Sequence, residues 1–331
     1  MDKETLSDYG WIVICVLVVA VMVALATPFG SYIKSATENT TQGLFDTSRN
    51  AVNSTGLTRL ARQRFHPSAF TVEFEKLHQG EEREDRFVYG DYEYSYNQYY
   101  RPDTGEWVND ATINGFGVRV LDRTKTEYGE ILETAYGYPI TNLYGCFYYC
   151  TSLTNPPEIP ITVTIMSWAF VGCSSLITTP EIPDNVTNMY YMFYSCTSLA
   201  TVPNLPNSVT NLEYTFRNCV SITKIPKIPN SVTNMGGTFF DCVSLTTAPI
   251  IPNNVTHMYA TFSGCTSLTT APTIPSKVAN ISYTFNNCTS LTGSVEINVT
   301  PTAINKYQYC LKNTQITAVT GTTTLTLNQL Q

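Results

Sequence analysis

The sequence predicts three successive parts: an N-terminal α-helix, a small β-rich spacer, and a parallel β solenoid built of stacked 23-residue coils. Three observations predict this. Cysteines recur every 23 residues from Cys150 to Cys288. An uncharged run extends from Tyr9 to Ile33 and is wholly apolar from Trp11 to Ala26. Between the two lies a charged zone in which Tyr89 to Tyr100 holds six tyrosines. The expected boundaries are 1–62 for the helix, 63–138 for the spacer, 139–310 for the coils and 311–331 for a C-terminal cap.

The helix comes first. About 20 apolar residues span the hydrocarbon core of a bilayer. Asp2, Lys3, Glu4 and Asp8 precede the run, and Lys34 and Glu38 follow it. Tyr9 and Trp11 at one end and Phe29 and Tyr32 at the other match interfacial aromatic belts. The acidic opening argues against a cleaved signal peptide, which would begin with basic residues. Lys3 and Lys34 flank the run equally, so orientation stays open. Beyond Pro28 and Gly30, which should kink the helix, a polar stretch continues to about Asn53. An apolar half followed by a polar half resembles the N-terminal helix of type IV-like pilins. The run Asp8-Tyr9-Gly10 is similar to the opening of Flp-type pilins, although no glycine precedes the acidic residue where a prepilin peptidase would cut. Residues 9–33 are therefore expected to meet either a lipid bilayer or like helices in a filament, and a homo-oligomer is one of the outcomes.

In the spacer, Phe70–Glu75 alternates apolar and polar residues and is expected to form a half-buried strand. Tyr92, Tyr94 and Tyr96 share one face of a second strand, with further strands at Glu106–Val108 and Gly117–Leu121. The tyrosines could supply a sticky surface, but ordinary packing between strands is the expectation.

The coils carry the strongest signal. Phenylalanine stands three residues before each cysteine from Phe147 to Phe285, with Tyr307 before Cys310. Leucine or isoleucine stands three residues after, from Leu153 to Leu291, and a further column runs from Ile159 to Ile297. A unit with so few apolar residues buries them only by stacking on its neighbours. The inward columns should be Val, Met or Leu, Phe, Cys and Leu, with Cys310 and Tyr307 ending two of them. Short parallel strands are expected at Val-Thr-Asn-Met and near Ser-Leu-Thr. The prolines three apart, such as Pro203 and Pro206, suit an extended edge. Asn142, Asn188, Asn211, Asn234 and Asn280 form a structural column, interrupted by Ile165 and His257. Tyr136–Ile140 should be an entry turn and Thr323–Leu327 a last strand.

Phrases such as Asn185–Ser198 and Ser231–Ser244 resemble BspA-like leucine-rich repeats of bacterial surface proteins, over about residues 139–310. The resemblance implies a leucine-rich-repeat-like solenoid at the cell envelope, with binding or adhesive roles and no catalytic residues.

Strand spacing of about 4.8 Å would permit disulfides along the cysteine column. Parallel side chains with identical neighbours on both sides select no pairing, so free buried thiols are expected. The net charge of −7 falls wholly on residues 1–138, residues 139–331 being neutral. No basic run could neutralise a nucleic-acid backbone, which excludes nucleic acid as a main partner. No nucleophile elbow, phosphate loop or metal motif is present, so no enzyme activity, catalytic or metal residue, or cofactor is expected. A candidate binding stripe stands between the Met and Phe columns: Tyr144, Trp168, Tyr190, Tyr191, Tyr214, Tyr259 and Tyr283. Its partner would be a protein or glycan, unless these rings pack as core. The function read from the sequence is a surface-displayed binding or adhesion protein; the alternative is a subunit of a pilus-like filament. Without a C-terminal sorting signal, attachment is expected through the N-terminus.

Overall fold

The computed structural model describes residues 69–202, 204–299 and 303–331. The predicted N-terminal helix, with Cys15, lies outside these residues. Among the described residues no helix is long and apolar enough to cross a membrane.

The described chain opens with helix α1 (Ala69–Leu77). The strand expected at Phe70–Glu75 is thus a helix. Thr71 and Phe74, three apart, are buried, while Val72 is half exposed. A strand would have put Val72 and Phe74 on the same face; the helical period separates them. Phe74 stacks on His78 and Phe87 at 4.1 and 5.0 Å, and Glu75 accepts from Thr134 Oγ1 at 2.8 Å.

Strands β1 (Arg86–Tyr89), β2 (Tyr92–Tyr96), β5 (Phe116–Val120), β6 (Thr134–Ala135) and β7 (Tyr138–Asn142) form one sheet in the order β1-β2-β5-β7-β6. Strands β3 (Gln98–Arg101) and β4 (Glu106–Asn109) make a separate hairpin. Tyr92 and Tyr94 are fully buried; the Tyr92 hydroxyl donates to Gly129 O at 2.7 Å, and the Tyr94 oxygen accepts from the Leu132 N–H. These two tyrosines pack as core. Tyr136 and Gly137, both with positive φ, make the tight turn between β6 and β7, as two-residue hairpins require. Residue 138 therefore lies inside a hairpin. β7 pairs in parallel with β5, and its Asn142 bridges to Ile165 of the second coil. Tyr92 and Tyr128 meet Phe147 edge-on at 6.2 and 5.4 Å. The spacer thus covers the first coil, and one apolar core runs from Phe74 to Leu330.

Inside the coils the expected columns line up. Phe147 to Phe285 are at most 1% exposed, with successive ring centroids 4.9–6.0 Å apart and planes within 20°. The cysteines are free and buried. The backbone departs from expectation, because strands at Val-Thr-Asn-Met shrink to one bridging residue per coil, such as Asn188, Asn211, Asn234, His257 and Asn280. The asparagines explain this. Each side-chain Oδ1 accepts from the N–H two residues on, as Asn234 does from Gly236 at 3.0 Å. That Asx turn bends the chain where a strand would continue. From Leu212 to Cys219, N–H groups then alternate between a carbonyl 22 residues on, in the next coil, and one three residues back. The second proline of each pair opens another turn, its carbonyl accepting from the valine three residues on, as Pro206 does from Val209.

Side chains satisfy the carbonyls that this alternation leaves over. Six thiols, Cys173 to Cys288, donate to the phenylalanine carbonyl 26 residues back at 3.0–3.1 Å. Thr215, Thr238, Thr261 and Thr284 do the same to Met or Leu carbonyls at 2.8–2.9 Å. Thr179 Oγ1 has no partner, alone among buried side-chain oxygens and nitrogens of the described residues. One turn of the solenoid further on stands Val202. Thr179→Val is expected to raise stability by about 1 kcal/mol, since it removes an unsatisfied hydroxyl without changing shape; a lower urea midpoint would refute this.

The last coil differs from expectation. Tyr283, Phe285 and Asn287 donate to carbonyls 25 residues on, at Gln308, Cys310 and Lys312. Leu311 therefore follows Phe285, and Cys310 follows Thr284, so neither Tyr307 nor Cys310 continues its expected column. The paired prolines are gone here, and a 3-10 turn at Ile304–Lys306 takes up the added length. The last strand is β9 (Gln315–Thr320), parallel to β8 (Thr292–Glu296), and not Thr323–Leu327. Gly321, at φ +99°, ends β9 against Ile297 O, where no Cβ fits. Gln329 Oε1 accepts from Thr326 N at 2.8 Å, which starts helix α2 (Leu327–Leu330) and seats buried Leu330 on the open end.

Candidate functional site

Two columns arise just after the Asx turn, and their aromatic members are partly exposed. Tyr144, Tyr190 and Tyr259 belong to the first, in register with Ser167, Glu213, Gly236 and Ser282. Trp168, Tyr191, Tyr214 and Tyr283 belong to the second, in register with Gly145, Gly237 and Ala260 and continued by Tyr309. All seven expected stripe residues are partly exposed; Tyr259 is the most open at 42%.

The rings touch one another across coils. Trp168 stacks on Tyr191 at 4.7 Å and 12°, and Tyr191 lies 4.9 Å from Tyr214. Tyr190 meets Tyr191 edge-on at 4.5 Å. The stack ends where the Tyr214 ring folds over Gly237, whose missing Cβ leaves the space it occupies. Tyr259, Tyr283 and Tyr309 resume beyond, at 5.8 and 5.2 Å. The structure thus brings Trp168, Tyr190, Tyr191 and Tyr214 together, and Tyr259 with Tyr283 in a second group. Tyr144 instead packs edge-on against Tyr99 of β3 at 5.0 Å. Partial burial raises the phenol pKa of Tyr144, Tyr190, Tyr191 and Tyr214 above the ordinary value, which keeps these hydroxyls as donors.

Sequence spacing did not reveal the backbone on which these rings stand. Trp168, Tyr191, Tyr214, Tyr283 and Tyr309 all have φ between +53° and +63°. Glycine adopts that region freely, Asn and Asp tolerate it, and bulky side chains rarely do. Each coil has a second such position, and from Gly172 to Asn313 it is filled by Gly, Ser, Asn or Asp. The two columns meet the same backbone demand in opposite ways. One uses residues that suit a left-handed turn in every coil but the first, where Tyr149 stands, and the other keeps aromatics at Trp168, Tyr191, Tyr214, Tyr283 and Tyr309. Tyr148, Tyr194, Arg217 and Phe240 flank the stack, with the Arg217 guanidinium 4.5–5.6 Å from the rings of Phe240, Tyr194 and Tyr214. These flanking residues lie one position past the Phe column and were not among the expected stripe; their signal was an aromatic-rich column next to a buried one.

Two solved structures are similar to this chain. One is a leucine-rich repeat protein from Bacteroides ovatus, 23% identical over 70% of this chain and 57% of that one, with a TM-score of 0.49. The other is a leucine-rich repeat protein of T. pallidum, 24% identical over 58% of this chain and 89% of that one, with a TM-score of 0.43. No curated protein matches the chain. The BspA type leucine rich repeat region matches residues 143–269 and 257–329, more than half of the sequence. With that coverage, and with coils whose columns stack as its repeats require, the chain belongs to the BspA-type leucine-rich-repeat family.

Proposed function

We propose that this chain is a non-enzymatic binding protein of the cell surface, held at the envelope by residues 9–33 and making contact through its aromatic stripe. One observation carries the reading. Trp168, Tyr191, Tyr214 and Tyr283 are kept in a left-handed backbone, each against a cost of about 1–2 kcal/mol, where Gly145 and Gly237 show that glycine fits. Their partial exposure returns only part of the burial energy an aromatic can supply. Residues retained against strain and open to solvent point to contact with a partner.

The test uses the same column. Trp168→Gly with Tyr191→Gly removes both rings and relieves both strained positions. Stability should change by no more than about 1 kcal/mol per site, because lost packing and glycine entropy offset the relief. Adhesion of beads coated with the full chain to bacterial and epithelial cells should fall at least about tenfold. Unchanged adhesion with an intact melting transition would overturn the stripe as the contact face.

A further inference from the structure

We infer that the aromatic face takes an electrically neutral polysaccharide lying along the solenoid axis, with the β3–β4 hairpin at its N-terminal end. The inference rests on the stripe being the contact face and names what it contacts. Three observations carry it.

The first is ring orientation. Trp168 and Tyr191 stack nearly parallel at 4.7 Å from one coil to the next. The facing sides of these two rings are spent on each other, and the Tyr190 hydroxyl donates to that of Tyr191, so the half-exposed rings offer apolar edges beside the polar groups that are left. That combination suits a chain of alternating hydroxyl and C–H groups. The second is repetition. Aromatic rings recur at the coil spacing, roughly 4.8 Å, in three successive coils from Trp168 to Tyr214 and again from Tyr259 to Tyr309. A partner that makes the same contact at successive coils must itself repeat in one direction. The third is charge. Between the Asn and Cys columns of the seven coils stand only three charged residues, Glu213, Arg217 and Asp241. All three are occupied within the face. Glu213 Oε2 accepts from Asn234 Nδ2 at 3.1 Å, Arg217 lies among three rings, and Asp241 lies within the field of Arg217. A face with only three charges, one of its two carboxylates offset by its one guanidinium, has little to recruit an acidic or basic polymer.

The hairpin extends the row past the first coil. Tyr99 meets Tyr144 at 5.0 Å. Pro102, in the hairpin turn, sits against Gly145, with only 2.8 Å to where a Cβ would stand. The N-terminal end of the face is thereby fixed in place.

Native gels cast with mannan, xylan or soluble β-glucan test the assignment against gels cast with polygalacturonate or dextran sulfate. The full chain should be retarded by at least one neutral polymer. The apparent affinity should change less than about twofold between low salt and about 1 M salt. Trp168→Gly with Tyr191→Gly should weaken retardation at least about tenfold, and Tyr99→Ser should weaken binding of long chains more than of short oligosaccharides. Retardation by the acidic polymers alone, steep salt dependence, or no retardation by any neutral polymer would overturn the polysaccharide. So would self-association of the chain through this face, seen as a dimer that the glycine variants dissolve. If the glycine variants lose cell adhesion while no neutral polymer is bound, the contact face stands and the polysaccharide falls. If they change neither readout, both fall.

Discussion

Phe216→Ala is expected to destabilise the protein by about 3–5 kcal/mol and to lower its melting midpoint by roughly 10 °C. Phe216 is fully buried, and its ring lies between Phe193 at 5.7 Å and Phe239 at 6.0 Å. Removing it opens a cavity that neither coil can fill, because each is held by its own backbone bonds to the next. Coils contact only their neighbours, so the loss also weakens the coupling between the two halves of the solenoid. Phe216→Ala with Phe239→Ala should cost less than the two single changes added, since they share one contact. Circular dichroism melting of the three variants measures both effects. A loss below about 1 kcal/mol for Phe216→Ala would contradict a continuous stacked core.

The second large effect is alkaline unfolding. Burial raises the thiol pKa throughout the coils: to about 11 at Cys150, to about 12 at Cys288 and Cys310, and well above the ordinary value at Cys173, Cys196 and Cys219. In the unfolded chain these thiols ionise near the usual 9. Between about pH 9 and 11 the unfolded chain therefore binds fewer protons than the folded one, and stability falls as pH rises. Each thiol contributes up to about 1.4 kcal/mol per pH unit. Nine cysteines are buried and free among the described residues. Acting together they can remove more than about 10 kcal/mol per unit, comparable to the whole stability of a typical domain. Buried Tyr92 and Tyr94, also raised, add to this at higher pH. Urea midpoints should be flat below about pH 8 and drop steeply above 9. Cys219→Ala with Cys242→Ala should flatten that slope. Midpoints that hold to pH 11 would show that the thiols are not buried as a column.

The core was legible in the sequence because its period is long, strict and apolar. Every residue of the Phe column from Phe147 to Phe285, and of the Cys column from Cys150 to Cys288, lies inside. The seven aromatic positions, all partly exposed, were legible as a pattern, though the backbone that carries them was not. Hydrophobic pattern reports which side chains avoid water and says little about which carbonyl needs a donor. For that reason the bonds from Cys173 Sγ to Phe147 O and from Thr215 Oγ1 to Met189 O were invisible. The same limit hid the Asx turns that shorten the strands. At the ends, where the period stops, short runs carried too little information. The Phe70–Glu75 alternation fits a strand or a helix equally well over six residues. The three-residue lengthening of the last coil moved Cys310 from the Cys288 position to that of Thr284, four residues earlier, although its sequence spacing differs from 23 by only one.

Between the Asn and Cys columns, alternate N–H groups bond the carbonyl 22 residues on, with the same pattern repeated from Met189 to Asn286. Any interior unit consequently presents the same upper and lower surfaces as its neighbour, while the two ends are closed by unlike structures. Unequal crossing-over between units of one gene would add or delete whole coils and leave both closures intact. The outer row of aromatics would then lengthen or shorten by one step each time, so reach becomes a heritable quantity that can vary without inventing a new fold.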